Sequence, residues 1–109
     1  MTETGERDMD ADQLSARLTA IASTQRMRIV AEVAAETTHV SELARRLGMS
    51  RALLYMHLQR LEEAGFIAGR FELSDDGKAL KLFEIVPFHI SLDLAAIVAA
   101  VNSTQESEN

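Results

Sequence analysis

The stretch that most restricts how this chain can fold is Val40–Arg60, VSELARRLGMSRALLYMHLQR. Ser41 opens a short helical run, SELARRL, and Gly48 stops it, because glycine takes the left-handed backbone that commonly ends a helix. Ser50 caps a longer run, SRALLYMHLQRLEEAG, which ends at Gly65. Two helices joined by so short a link must cross at close range. Ala44 is small enough to lie under the crossing, and Leu43, Leu47, Met49 and Leu54 form the apolar wedge between them. This is a helix-turn-helix pattern.

Directly after it the apolar repeat changes to a period of two. Ile67, Phe71 and Leu73 share one strand face, and Arg70, Glu72 and Ser74 the other. SDDGK reads as a turn in which Gly77 takes a positive φ cheaply, and a return strand runs from about Ala79 to Val86. Its alternation is imperfect, with Leu80 and Leu82 on one face and Phe83 and Ile85 on the other. A bulge or a hairpin base covered on both sides accounts for that. The hairpin, about 67–86, makes the pattern winged, with a recognition helix over about 50–63.

Residues 1–10 are polar, acidic and without a period, and read as a disordered tail. Asp10 or Asp12 then caps a helix with Leu14, Leu18, Ile21 and Ala22 on one face. Ser23 or Thr24 caps a second helix to about Ala35, and Met27, Ile29, Val30, Val33 and Ala34 cover most of its circumference, as in a central core helix. ETTH breaks it. After Pro87, Ser91 caps a last helix carrying Leu94, Ile97, Val98 and Val101, and a polar tail follows over 102–109. The expected fold is mainly α with a small β-hairpin, a winged helix-turn-helix of order ααααββα, with one domain over 11–101.

Composition narrows the chemistry. The chain has no cysteine, which removes disulfides, thiol catalysis and thiolate metal sites and fits a reducing compartment. The acidic N-terminus and the lack of a long apolar run predict a cytoplasmic protein without a membrane partner. The net charge of −6 sits at the two ends, whereas residues 40–86 hold seven acids and seven bases. Local fields govern binding more than totals do, so the acidity predicts weak non-specific affinity for nucleic acid without excluding it. No nucleophile and no acid–base pair is legible, so no enzyme activity is expected.

From Leu14 to Val101 the chain resembles the ArsR-type winged-helix transcriptional regulators. STQRMRIV is similar to that family's opening core segment, and VSELARRLGMSRALLYMHLQRLEEAGFI to its helix-turn-helix and the lead into the wing. The resemblance implies a homodimer joined by its N- and C-terminal helices. It also implies operator binding through the second helix of the motif and the wing. The family's metal response does not carry over. Its C-x-C pair is replaced within THVSELARR, and of the last-helix ligands only His89 and Asp93 have counterparts. Two ligands do not make a transition-metal site, so neither metal nor cofactor is expected.

A recognition helix turns its N-terminal residues to base edges in the major groove. With Leu54, Leu58 and Leu61 facing the core, the outer face carries Ala52, Met56, Gln59 and Arg60, flanked by Leu53 and Tyr55. Arg51 suits guanine or a phosphate, and Ser50 with the free N–H groups at the helix start suits a phosphate oxygen. Tyr55 offers its hydroxyl to phosphate, Gln59 reaches either target, and Ala52 and Met56 suit thymine methyl groups. In the wing, Lys78 is the candidate phosphate contact, among Arg70, Lys81, Glu72, Asp75 and Asp76 whose charges nearly cancel.

Plainer readings stand beside these. Ser50 is a helix cap in any case, Arg51 is a solvated charge, and Arg60 is solvated or paired with Glu62 or Glu63. Tyr55 is a surface aromatic, His57 a structural histidine beside the core stripe, and His39 a loop residue. Leu53, Tyr55 and Met56 make this face more apolar than the family's usual one. That fits either thymine-rich operators or a face turned to protein binding.

The last helix is apolar on both sides, more than one small domain covers easily. A twofold partner joined through Leu14, Leu18, Leu94, Ile97, Val98 and Val101 is the economical solution. The expected function is a homodimeric DNA-binding regulator, of repressor type, on an inverted-repeat operator. Its partners are double-stranded DNA and a second copy of the chain, with room for a small-molecule effector that no residue marks. The alternative is a winged-helix protein–protein interaction module that does not bind DNA.

Overall fold

A computed structural model describes residues 9–108, with side chains over 9–105. The expected acidic tail therefore lies outside the described residues up to residue 8. The elements are α1 (Ala11–Ile21), α2 (Thr24–Ala35), β1 (Thr38–His39), α3 (Val40–Leu47), α4 (Arg51–Glu63), β2 (Ile67–Leu73), β3 (Ala79–Ile85) and α5 (Leu94–Glu108). They fall into two units: Ala20–Pro87, and the two chain ends through Thr19 and from Phe88.

In the Ala20–Pro87 unit, Ser23 is the cap of α2, its backbone extended and its hydroxyl oxygen accepting the Arg26 N–H. The expectation that α2 is buried on most sides is corrected. Only Ile29 and Val33, one turn apart, are buried, while Met27 and Ala34 are exposed. Arg28 and Glu32 share its circumference, and charged groups keep that side in water. ETTH does break the helix, and Thr38–His39 then forms a short strand that the sequence pattern did not announce.

His39 is accordingly no loop residue. It, rather than Ser41, caps α3, with Nδ1 accepting the Glu42 N–H. Val40, next in line, is buried and already helical. Val40, Leu43, Ala44 and Leu47 form the buried stripe of α3, and Gly48 ends it at φ 62°, ψ 38°. Ser50 caps α4, and Leu54, His57, Leu58 and Leu61 form its buried face. Phe66, Ile67 and Phe83 complete the core with Ile29, Val33 and Leu43.

The sheet is antiparallel in the order β1-β3-β2. Pairing runs without a break from Ile67 opposite Ile85 to Leu73 opposite Ala79, so the hairpin contains no bulge. The mixed pattern of β3 follows from its central place. Leu82 lies between Arg70 and His39, and Phe83 between Gly69 and Thr38. Ile67, Phe71 and Leu73 do share a face, yet only Ile67 is buried; Phe71 is 71% and Leu73 74% exposed. The distal hairpin projects beyond anything that covers it.

In the unit of the chain ends, Asp10 and Gln13 cap α1 reciprocally. The Asp10 carboxylate accepts the Gln13 N–H at 2.8 Å, and the Gln13 side chain accepts the Asp10 N–H at 3.0 Å. Asp93, not Ser91, caps α5, its carboxylate accepting the Ala96 N–H at 2.8 Å. α5 continues to Glu108, through the polar residues expected to form a tail after Val101. Thr104 supports that extension: its hydroxyl donates to the Ala100 carbonyl and accepts the Ala11 N–H. Ala96 and Ala100 are buried, whereas Leu94, Ile97, Val98 and Val101 are exposed, Leu94 by 76%.

Candidate nucleic-acid interface

The Ser50 backbone is extended and its hydroxyl oxygen accepts the Leu53 N–H at 3.2 Å. The cap is thus real, and the hydroxyl proton stays free to donate. Behind the buried face of α4, every residue expected to meet DNA is exposed: Arg51, Ala52, Tyr55, Met56, Gln59 and Arg60. Tyr55 is 50% and Met56 49% exposed, large values for such side chains. At about 100° per residue, Ala52, Met56 and Gln59 form the centre of the outer face. Arg51 and Tyr55 lie along one flank, and Leu53 and Arg60 along the other.

Charge separates this helix from its surroundings. On α3, Arg45 pairs with Glu42, while Arg46 meets Glu42 and Glu36 at 3.1 Å each. The Arg45 guanidinium, aided by Arg46, holds the Glu42 carboxyl far below the usual range, at about 2. In the wing, Arg70 contacts Glu72 at 3.0 Å and Glu84 at 3.6 Å. Lys78 follows the turn as expected, but Asp76 stands 3.9 Å from its ammonium. Lys81 lies 3.8 Å from Glu62 and stacks over the Phe71 and Phe83 rings.

Among the described residues no carboxylate pairs with Arg51 or Arg60. The alternative partners of Arg60 are engaged elsewhere. Glu62 accepts the Gly69 N–H at 3.0 Å, and Glu63 accepts the Gln59 amide at 3.2 Å. At Gly69 the hairpin backbone is bonded directly to α4 through Glu62. A Cβ there would come within 2.6 Å of the Lys81 side chain and 3.1 Å of Glu62.

His57 is a buried structural histidine. Its Nδ1 accepts from the Arg26 guanidinium at 3.1 Å, and Arg26 also donates to the Ala20 carbonyl. Its Nε2 is buried without a partner. Burial, with the Arg26 charge beside it, pushes the imidazole below its ordinary pKa. Sequence reading placed His57 beside the core but offered no signal for Arg26, which comes from a helix thirty-one residues earlier.

The residues expected at a dimer contact divide in two. Leu94, Ile97, Val98 and Val101 form an exposed stripe, Leu18 is half-buried, and Leu14 is already buried within the single chain. Leu14, Leu18, Ile97, Ala100 and Val101 line an open groove of about 230 Å³. His89 and Asp93 acquire no further ligands: among the described residues no group of three or more His, Cys, Asp or Glu is placed to hold a metal ion. No described helix is long and apolar enough to cross a membrane.

A family model described as a helix-turn-helix domain matches residues 21–70. No match was found among curated proteins. Solved structures do match. The homodimeric winged helix-turn-helix DNA-binding domain of Mb0332 from Mycobacterium bovis is 20% identical, with a TM-score of 0.63 over 99% of this chain and 90% of that one. NolR from Sinorhizobium fredii is 18% identical, with a TM-score of 0.62 over 98% of this chain and 95% of that one. An ArsR-like transcriptional regulator from a Rhodococcus species is 21% identical, with a TM-score of 0.58 over 89% of this chain and 79% of that one. The fold is the winged helix-turn-helix, and in it the chain resembles the ArsR-type regulators.

Proposed function

We propose that this chain, an ArsR-like winged helix-turn-helix, is a DNA-binding transcriptional regulator that works as a homodimer on an inverted repeat, as a repressor. The observation that carries the reading is the outer face of α4, solvent-exposed and edged by the unpaired Arg51 and Arg60. A recognition helix needs that arrangement: side chains free to enter the major groove, and cations free to meet phosphate. The Mb0332 domain is a homodimer, and the exposed Leu94, Ile97, Val98 and Val101 stripe gives this chain an apolar face for the same use. A twofold pair would set two α4 helices about 34 Å apart, one turn of the duplex.

The test is a fluorescence titration against promoter DNA at low and high salt. Two cations per protomer release about four counterions per dimer, so affinity should fall roughly a hundredfold between 50 and 200 mM salt. Val98→Asp should convert the dimer to a monomer in sedimentation and weaken binding with it. Failure to bind any promoter duplex at low salt would reject the reading. It would favour the rival, a protein-interaction module, for which Leu53, Tyr55 and Met56 supply exposed apolar area and the wing supplies little free charge.

A further inference from the structure

We infer that α4 reads the 5-methyl groups of thymine through Ala52 and Met56, making the operator half-site thymine-bearing at the positions under the helix centre. This rests on the DNA-binding reading above and goes further, because it names what is recognised.

The argument comes from how polar and apolar side chains are distributed around the helix. Ala52 and Met56 are one turn apart at the middle of the outer face, where a helix in the major groove meets base edges. Neither can donate or accept a useful hydrogen bond with a base, and both are exposed to solvent. The cations lie elsewhere. Arg51 and Arg60 are nine residues apart, about two and a half turns, and therefore on opposite flanks. A rod with a charge on each side and an apolar centre matches a groove with a phosphate backbone on each wall and methyl groups on its floor. The other cations of the helix-turn-helix and wing are paired with acids, so the charge that fits DNA is concentrated on this rod. Gln59 adds one amide to the central line, but it is shared with Glu63.

Thymine and uracil differ only in that methyl group, which makes the inference directly testable. The protein is used to select binders from a pool of duplexes with a randomised centre, and each selected duplex is resynthesised with deoxyuridine replacing single thymines. Enrichment of thymine at a fixed position in each half-site is expected, with about a fourfold loss of affinity per methyl removed there, the effect of exposing one methyl-sized group. Met56→Ala should reduce the preference for thymine over uracil at the position read by Met56 while leaving the one read by Ala52, and Met56→Leu should retain most of it at both. Met56 is exposed, so neither change threatens the fold. Arg60→Ala should weaken thymine and uracil duplexes equally.

Selected sites without thymine under the helix, or equal affinity for both bases, would overturn methyl recognition and leave the regulator standing. Selection of no duplex above background would overturn both, and would point to a protein as the occupant of this face.

Discussion

The outer face of α4 and the β2–β3 wing have similar compositions and opposite electrostatics. Each exposes large apolar side chains, Tyr55 and Met56 on the helix, Phe71 and Leu73 on the hairpin. Each carries basic residues. On the helix, no acid among the described residues pairs with Arg51 or Arg60, Glu62 and Glu63 being engaged by Gly69 and Gln59. On the hairpin, each cation has an acid within reach: Arg70 meets Glu72 two residues along its own strand and Glu84 across the ladder, Lys78 meets Asp76 in the turn, and Lys81 meets Glu62 of α4. Charge content alone therefore does not tell which element can hold a phosphate. The geometry of the element decides how much of its charge is already used.

The strongest test of the contrast concerns stability. Leu58→Ala empties a fully buried site on the inner face of α4 and should cost about 3 kcal/mol in urea unfolding. Leu73→Ala, at the distal wing, should stay within about 0.5 kcal/mol. Equal losses would mean that the wing is covered in solution. Next in size is duplex affinity. Arg51→Ala should weaken binding tenfold or more, whereas Lys78→Ala should stay within about threefold, because Asp76 already shares that charge. A larger loss at Lys78 would make the wing the main phosphate contact and reverse the comparison.

Acid should probe the inner side of the helix. The folded chain holds His57 below its ordinary pKa of 6.5, so the unfolded chain binds more protons as pH falls through that value. The stabilisation is complete above about 6.5 and declines as pH drops toward the folded value. His57→Asn should flatten the decline of the unfolding midpoint between pH 7 and pH 5. An unchanged profile would place the acid sensitivity elsewhere. The smallest expected effect is a gain. Asp76→Asn releases Lys78 and should raise duplex affinity by up to about threefold at low salt, with the gain lost at high salt.

Much of this was legible in the chain itself. Ser23, Gly48 and Ser50 mark their helix boundaries because a cap or a left-handed residue is a local requirement. The outward face of α4 follows from the spacing of Leu54, Leu58 and Leu61. What escaped depended on distant partners. A two-residue strand at Thr38–His39 has no period to detect and exists because β3 pairs with it. The exposure of Phe71 and Leu73 is invisible in alternation, which assigns faces but not covers. The pairing of Lys81 with Glu62, and of Arg26 with His57, joins residues far apart in sequence. The length of α5 was underestimated because Asn102–Gln105 look like a tail, whereas Thr104 makes two bonds there.

Glu62 is placed so that one of its oxygens takes the Gly69 N–H while the other faces Lys81. A single carboxylate in the last turn of the reading rod thus clamps the root of the blade beside it. These two contacts tie the spread between helix and hairpin within a single chain. If the chain binds DNA as proposed, a duplex whose groove does not match that span would have to bend or twist to be gripped, at an energy that differs from sequence to sequence. On the DNA-binding reading proposed above, such stiffness in the protein would become a preference for pliable sites, including at base pairs that no side chain reaches.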